Sequence, residues 1–181
     1  LGDFYEAFYE DAQTISKEID LTLTKRQDVP MCGVPSHACE LYIDKLLAKG
    51  YKIAIAEQME DPKQVKGLVK REIVRIITPG TVVTSSLLQD KSNNYLAAIT
   101  QVNAYFGLAL LDLTTAEFKV LEIEDKKELL DELNRLRPSE IILSEKMGKK
   151  ESSFLEELKL LFPVHSTFCE EWRFDPECAL K

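Results

Sequence analysis

The chain has 181 residues, 45% of them hydrophobic, and a net charge of −8, divided as −2 over residues 1–92 and −6 over residues 93–181. That length supports one large or two modest domains with real cores, and no run approaches the ~18 apolar residues that would cross a bilayer. An acidic chain is a poor general binder of nucleic acid, because phosphate contacts dominate that affinity, so any such role must rest on a local site.

The N-terminal stretch Gly2-Asp3-Phe4-Tyr5-Glu6-Ala7-Phe8-Tyr9 is half aromatic. As an extended segment it places Phe4, Glu6 and Phe8 on one face and Asp3, Tyr5 and Ala7 on the other. A carboxylate between two phenyl rings is not a simple core pattern, since burying it unpaired costs several kcal/mol. Either Phe4 and Phe8 are core and Glu6 reaches water or an arginine, or Phe4 and Glu6 project together at something outside the protein. Tyr9–Asp20 reads as a helix, with Ala12, Ile15 and Ile19 at helical spacing and Glu10 and Asp11 at its positive end. Leu21–Thr24 alternates as a short strand ending on Lys25-Arg26, and Gln27–Pro30 reads as a turn or loop.

Met31–Pro35 reads as an apolar loop in which Gly33 serves a positive φ or a close approach. Ser36 is a helix N-cap, followed by a stripe that stops at Gly50. Tyr51–Gln58 and Glu72–Thr78 are strands, Asp61-Pro62 opens a short helix, 66–71 is a basic link, and 84–91 is short helix or coil. Ser92-Asn93-Asn94 is the candidate domain boundary, dividing 1–92 from 93–181.

The second region begins with three strands in quick succession, Tyr95–Gln101, Phe106–Leu113 and Ala116–Ile123, which predict an antiparallel meander. Asp125–Arg137 is a helix with a leucine stripe, stopped by Pro138. Glu140–Leu143 is a fourth strand, parallel to a neighbour after the crossover, and Glu151–Leu161 a second helix. Phe162–Lys181 has weak periodicity. Three strands, helix, strand and helix open an RNase H-like α/β domain, so this domain is expected to be truncated at its C-terminal end.

Catalytic signatures are missing: there is no G-x-x-x-x-G-K-[ST], no G-x-S-x-G and no H-E-x-x-H. Asp112 ends a strand where RNase H-like nucleases place a metal-binding carboxylate. One carboxylate does not make a two-metal site, and the plainer reading is a turn residue before Leu113-Thr114-Thr115. Cys32, Cys39, Cys169 and Cys178 form no CxxC pair and read as free thiols in a reducing compartment, with a zinc site at His37 or His165 as the minor alternative. The chain opens on Leu1 rather than Met, and 1–20 is acidic and amphipathic rather than signal-like, so a partial or processed chain is expected.

GDFYEAFYEDA, LTKR, MCGVPSHA, AIAEQMEDP and RIITPGT follow one another in this order. Together they resemble the N-terminal mismatch-recognition domain of the MutS family of bacterial DNA mismatch-repair proteins, densely over 1–92 and more loosely through 93–181, where the connector domain follows in that family. The resemblance implies an α/β chain: an N-terminal mixed-sheet α+β mismatch-recognition domain lacking its extreme N-terminus, then a truncated RNase H-like connector. It implies that Phe4, the Phe of an F-x-E motif, wedges into the minor groove and stacks on a mispaired base, and that Glu6 hydrogen-bonds that base. Leu1 is implied beside the wedge. Lys25, Arg26 and the loop from Pro30 to Gly33, with Met31, are implied along the DNA backbone. The implied partners are mismatched duplex DNA, a second copy of the full-length protein and a MutL-type downstream factor reached through the connector. No cofactor is expected here, ATP and Mg belonging to the full-length protein, and the implied location is cytoplasmic, with no membrane. The alternatives are a metal-dependent nuclease using Asp112, and a structural fragment of a paralogue that has lost mismatch reading.

Overall fold

The computed structural model describes residues 3–60, 67, 69–83, 93–150 and 152–179. They form two compact units, one of residues up to Thr78 and one of Pro79–Val83 with the C-terminal half. The helices expected at 61–62 and 84–91 and Leu1 lie outside the described residues, as do residue 92 of the expected 92/93 boundary and positions 66 and 68 of the 66–71 link.

The first unit begins with β1 (Phe4–Phe8), which runs directly into α1 (Tyr9–Ile19). Tyr9 makes that junction without a loop by adopting a left-handed φ of 56°, a rare conformation for a bulky residue. Asp20, also left-handed, ends the helix. Leu21 closes it by bonding back to Ser16, through its N–H at 3.2 Å and by accepting from the Ser16 hydroxyl at 2.5 Å. Leu21–Leu23 are therefore not strand, and β2 is only Thr24–Arg26. Gln27 and Asp28 both take positive φ, 50° and 65°, the backbone of a two-residue hairpin whose twist matches its strands.

The hairpin leads into β3 (Val29–Pro35), which is the middle strand of a β1-β3-β2 sheet rather than the loop the sequence predicts. Pro30, Gly33 and Pro35 argue against a central strand, because proline cannot donate to a ladder. The register resolves the conflict: β1 pairs antiparallel with Met31–Pro35 and β2 with Val29–Met31. The two partners overlap only at Met31, so each proline lies where β3 is paired on one side alone. The ladder is extended by Ser36 N–H donating to Asp3 O at 2.7 Å.

Ser36 starts a 3-10 turn, Ser36–Ala38, rather than capping the helix itself; α2 (Cys39–Ala48) follows it, and Gly50 has the positive φ of a chain leaving a helix. β4 (Ile53–Gln58) and β5 (Arg71–Ile77) make a separate antiparallel ribbon. The buried apolar residues of the first unit include Ala12, Ile19, Cys32, Ile43, Leu46 and Leu47.

The second unit is a five-stranded mixed sheet in the order β10-β9-β6-β7-β8. Strands β6 (Tyr95–Val102), β7 (Tyr105–Asp112) and β8 (Glu117–Ile123) form the expected meander. The α3 helix (Lys126–Leu136), capped by the Asp125 carboxylate, crosses to β9 (Glu140–Ser144), which is parallel to β6. Helices α4 (Glu145–Lys150) and α5 (Ser152–Leu161) follow, and then β10 (His165–Cys169), parallel to β9; α6 (Pro176–Ala179) comes last. A meander followed by two parallel strands on its far side is the RNase H-like arrangement the sequence predicts. The fifth strand is a correction: it lies in the stretch read as aperiodic, because an edge strand with nearly uniform half-burial leaves no alternation to detect. Leu108, Leu110, Ile141 and Leu143 of the sheet pack with Leu129, Leu133, Phe154 and Leu158 of α3 and α5 in one core.

The Pro79-Gly80-Thr81 turn is fixed into this unit. Gly80 N–H donates to the buried Glu140 carboxylate at 3.1 Å, and Asn94 donates to Pro79 O at 3.2 Å. A Cβ on Gly80 would lie 2.8 Å from Leu96 Cδ1 and 2.9 Å from Glu140 Cβ, so any side chain there would force its neighbours to shift.

Candidate functional site

Antiparallel pairing puts opposed residues on the same face of a sheet. The β1-β3 register opposes Phe4 to Pro35, Glu6 to Gly33 and Phe8 to Met31, and the β2-β3 register opposes Thr24 to Met31 and Arg26 to Val29. Phe4, Glu6, Phe8, Arg26, Met31 and Gly33 therefore share one face. Cys32, which is fully buried, lies on the other with Tyr5 and Ala7. Lys25, opposed to Pro30, also belongs to that other face. The structure thus separates Lys25 from Arg26, because successive strand residues point to opposite sides.

On the first face Phe4 is 52% exposed. Its ring lies against Gly33, where a Cβ would approach Phe4 Cδ1 to 3.3 Å. Gly33 has no positive φ, so of the two uses the sequence allows it, close approach is the one that operates. The bare glycine provides a floor for the aromatic ring, as when a diagonal aromatic covers a strand glycine. Phe8 and Met31 are half-buried at the other end of the face.

Glu6 accepts from Arg26 Nη1 at 2.9 Å. The guanidinium reaches it from β2 across β3, and the side chains keep 45% (Arg26) and 20% (Glu6) of their exposure. The carboxylate set between two phenyl rings thus has a cationic partner at the surface, the arginine allowed by the reading that made Phe4 and Phe8 core, although Phe4 itself is exposed. The pair was legible in principle, since a tight turn at Gln27-Asp28 brings Arg26 beside a strand pairing with β1, but reading β3 as a loop hid it.

The opposite face is held by contacts that the sequence does not announce. Tyr5 donates its hydroxyl to Glu57 Oε1 of β4 at 2.5 Å. That bond, reinforced by burial, raises the phenol to about 12. Arg75 of β5 pairs with Glu40 of α2 at 3.1 Å. A cleft of about 410 Å3 borders β1, α1 and β4, with Asp11 and Lys52 beside Ile15, Leu46 and Ile53.

Asp112 is a turn residue. It is fully buried, its Oδ1 accepts from Thr114 N–H at 2.8 Å, Thr114 hydroxyl at 2.7 Å and Thr115 N–H at 3.4 Å, and its Oδ2 accepts from Asn94 N–H at 3.2 Å. Burial pushes this carboxyl up, but the four donors outweigh it and hold it below its ordinary value. Its Oδ1 is committed to the β7–β8 turn and its Oδ2 to the Asn94 N–H just before β6. Among the described residues no group of three or more His, Cys, Asp or Glu is placed to hold a metal ion, and the four cysteines are unpaired thiols, with burial raising Cys32 and Cys39. Among those residues no helix is long and apolar enough to cross a membrane.

Comparison with known proteins bears on both units. Residues 1–86 match the family model for MutS domain I, and residues 94–180 match that for MutS domain II. The DNA mismatch repair protein MutS of Protochlamydia amoebophila is 56% identical over 179 residues, covering 99% of this chain and 21% of the relative. That of Desulforamulus reducens is 51% identical over 162 residues, covering 84% and 19%, and that of Chlamydia abortus 43% identical over 182 residues, covering 99% and 22%. The chain therefore spans about a fifth of the length of these relatives. Two consecutive domain matches, over an α+β unit with antiparallel sheets and an RNase H-like unit with a mixed sheet, place the chain in the MutS family as its domains I and II.

Proposed function

We propose that this chain recognises mispaired or unpaired bases in duplex DNA, as the DNA-reading part of a longer mismatch-repair protein. The observation that carries the reading is the half-exposed Phe4 ring resting on Gly33, with Glu6 on the same strand face. An apolar ring held at the surface suits a minor-groove wedge, which unstacks a base step and kinks the duplex. Bending a site costs roughly 1–6 kcal/mol and least where pairing is already faulty, and aromatic–base stacking returns about 1–3 kcal/mol per base. The wedge tests deformability first. Glu6 then accepts a hydrogen bond from a base N–H that the lesion frees. Near phosphates its charge disfavours intact duplex, so the same residue raises selectivity. Arg26, Met31 and Gly33, which share that face, lie along the DNA backbone in this reading; Lys25, on the opposite face, does not.

Domain II carries the state of the DNA site onward and meets a MutL-type factor. ATP and Mg, the second copy of the protein and the ATPase activity belong to the remaining four-fifths of the length of its relatives, in a cytoplasmic protein. The names of those relatives and the domain I match support a part in DNA mismatch repair. The full bonding of Asp112 by its turn and by Asn94 disfavours the nuclease alternative, and the presence of both Phe4 and Glu6 on one open face disfavours a paralogue without mismatch reading.

The test is a binding titration of full-length protein with a G·T duplex and its matched counterpart. Phe4→Ala is expected to bring the two affinities together, by the 1–3 kcal/mol of one stacking contact. Discrimination that survives this change would refute the wedge.

A further inference from the structure

The Arg26–Glu6 pair joins two residues for which the reading above has separate uses: Arg26 on the DNA backbone and Glu6 on a base edge. We propose that Arg26 is a specificity-determining residue that acts through Glu6, holding and neutralising its carboxylate in the unbound domain and yielding it only when a base N–H takes its place. This deepens the proposed mismatch reading and rests on it.

Three features of the structure support the exchange. The two side chains bond at 2.9 Å on the face that carries Phe4. Both remain partly exposed, so the pair is weak enough to break, exposed ion pairs being worth no more than about a fivefold factor in an equilibrium. Arg26 also belongs to the three-residue β2 beside a two-residue hairpin, from which a long side chain can swing without moving the sheet. Lys25, on the other face, cannot substitute for it.

The consequence is an asymmetry between duplexes. At matched DNA no base N–H is freed, so the carboxylate keeps Arg26 and its repulsion of the phosphates is muted. At a mismatch the base takes the carboxylate and Arg26 is released to solvent. Removing Arg26 takes this cation from the carboxylate, which then meets every duplex with more of its charge, and only the mismatch compensates it.

The experiment is a double-mutant cycle in the full-length protein, with G·T and matched duplexes titrated for wild type, Arg26→Met, Glu6→Gln and the double variant. Arg26→Met is expected to weaken matched binding more than G·T binding, raising the discrimination ratio about three- to fivefold. In the Glu6→Gln background the same change is expected to leave the ratio unaltered, and Arg26→Lys to restore part of the wild-type value. If Arg26 is a phosphate contact alone, both affinities fall by one factor, the salt slope drops by about one, and the ratio is the same in both backgrounds; that result overturns the inference. Phe4→Ala in the same series separates the two readings, because retained discrimination there defeats the wedge itself. Thermal unfolding of each variant checks that it is folded.

Discussion

Gly33→Val is the perturbation that most directly tests how the open face positions its aromatic ring. Gly33 is paired with Glu6 and lies under Phe4, and the first carbon of any side chain there would sit 3.3 Å from Phe4 Cδ1 and 3.9 Å from Phe4 Cβ and Cγ. Backbone strain does not enter, because Gly33 lacks a positive φ. Alanine would push the ring by a few tenths of an ångström, which a 52% exposed side chain can absorb. Valine adds two methyl groups at the same place and lifts the ring off its floor. The fold should tolerate this, since a β-branched residue suits a strand and glycine costs about 0.5–1 kcal/mol there relative to alanine. Binding should not. If the ring loses its stacking pose, the loss is bounded by one contact of about 1–3 kcal/mol, a five- to hundredfold fall in preference for a mismatch. The assay is fluorescence anisotropy of full-length protein on G·T and matched duplexes, with thermal unfolding alongside. Gly33→Ala should fall between wild type and Gly33→Val. A folded Gly33→Val protein with wild-type discrimination would refute the reasoning that Gly33 sets the pose of Phe4.

Two further predictions concern stability. Asp112→Ala removes the acceptor of the part-buried N–H groups of Asn94 and Thr114 and should cost roughly 1–3 kcal/mol in urea unfolding of the second unit, at about 0.5–1.5 kcal/mol for each hydrogen bond lost; no measurable change would contradict the turn assignment. Because the folded carboxyl is held below its unfolded value, its contribution is complete above the unfolded pKa of about 3.9 and fades as pH falls through the folded one, so wild type should lose its advantage over Asp112→Asn only in acid. The sign reverses for Tyr5, whose phenol is raised to about 12 by Glu57. Its contribution is complete below the unfolded pKa of about 10 and is lost as pH rises through 12. Tyr5→Phe should destabilise the first unit at neutral pH and flatten its alkaline limb, and a tyrosinate absorbance titration should lose its highest-pH component.

Much of this arrangement is legible from local pattern. Period-two alternation in FYEAF puts Phe4, Glu6 and Phe8 on one face whatever surrounds them, and helical spacing marks α1 and α3 to within a residue or two. The meander, the crossover helix and the parallel β9 follow from strand lengths and turn residues, and five ordered motifs carry the family. The errors also have local causes. Two prolines and a glycine concealed β3, although the proline penalty applies only where a strand is paired on both sides, and β3 is so paired at Met31 alone. The edge strand β10 leaves almost no contrast in burial for periodicity to register.

By itself, then, the sequence determined which side chains of β1 travel together, and it left two readings of that set standing. It could not determine whether their face is covered, what lies beneath the ring, or which cation meets the carboxylate. Those depend on register. Cys32 is buried on the opposite face, so Phe4 faces outward; Gly33 falls diagonally under its ring; and the Gln27-Asp28 hairpin turns Arg26, not Lys25, toward Glu6. A one-residue slip in either pairing would exchange every one of these neighbours, and the partners that fix the register are tens of residues away or on another strand, where local pattern carries no information.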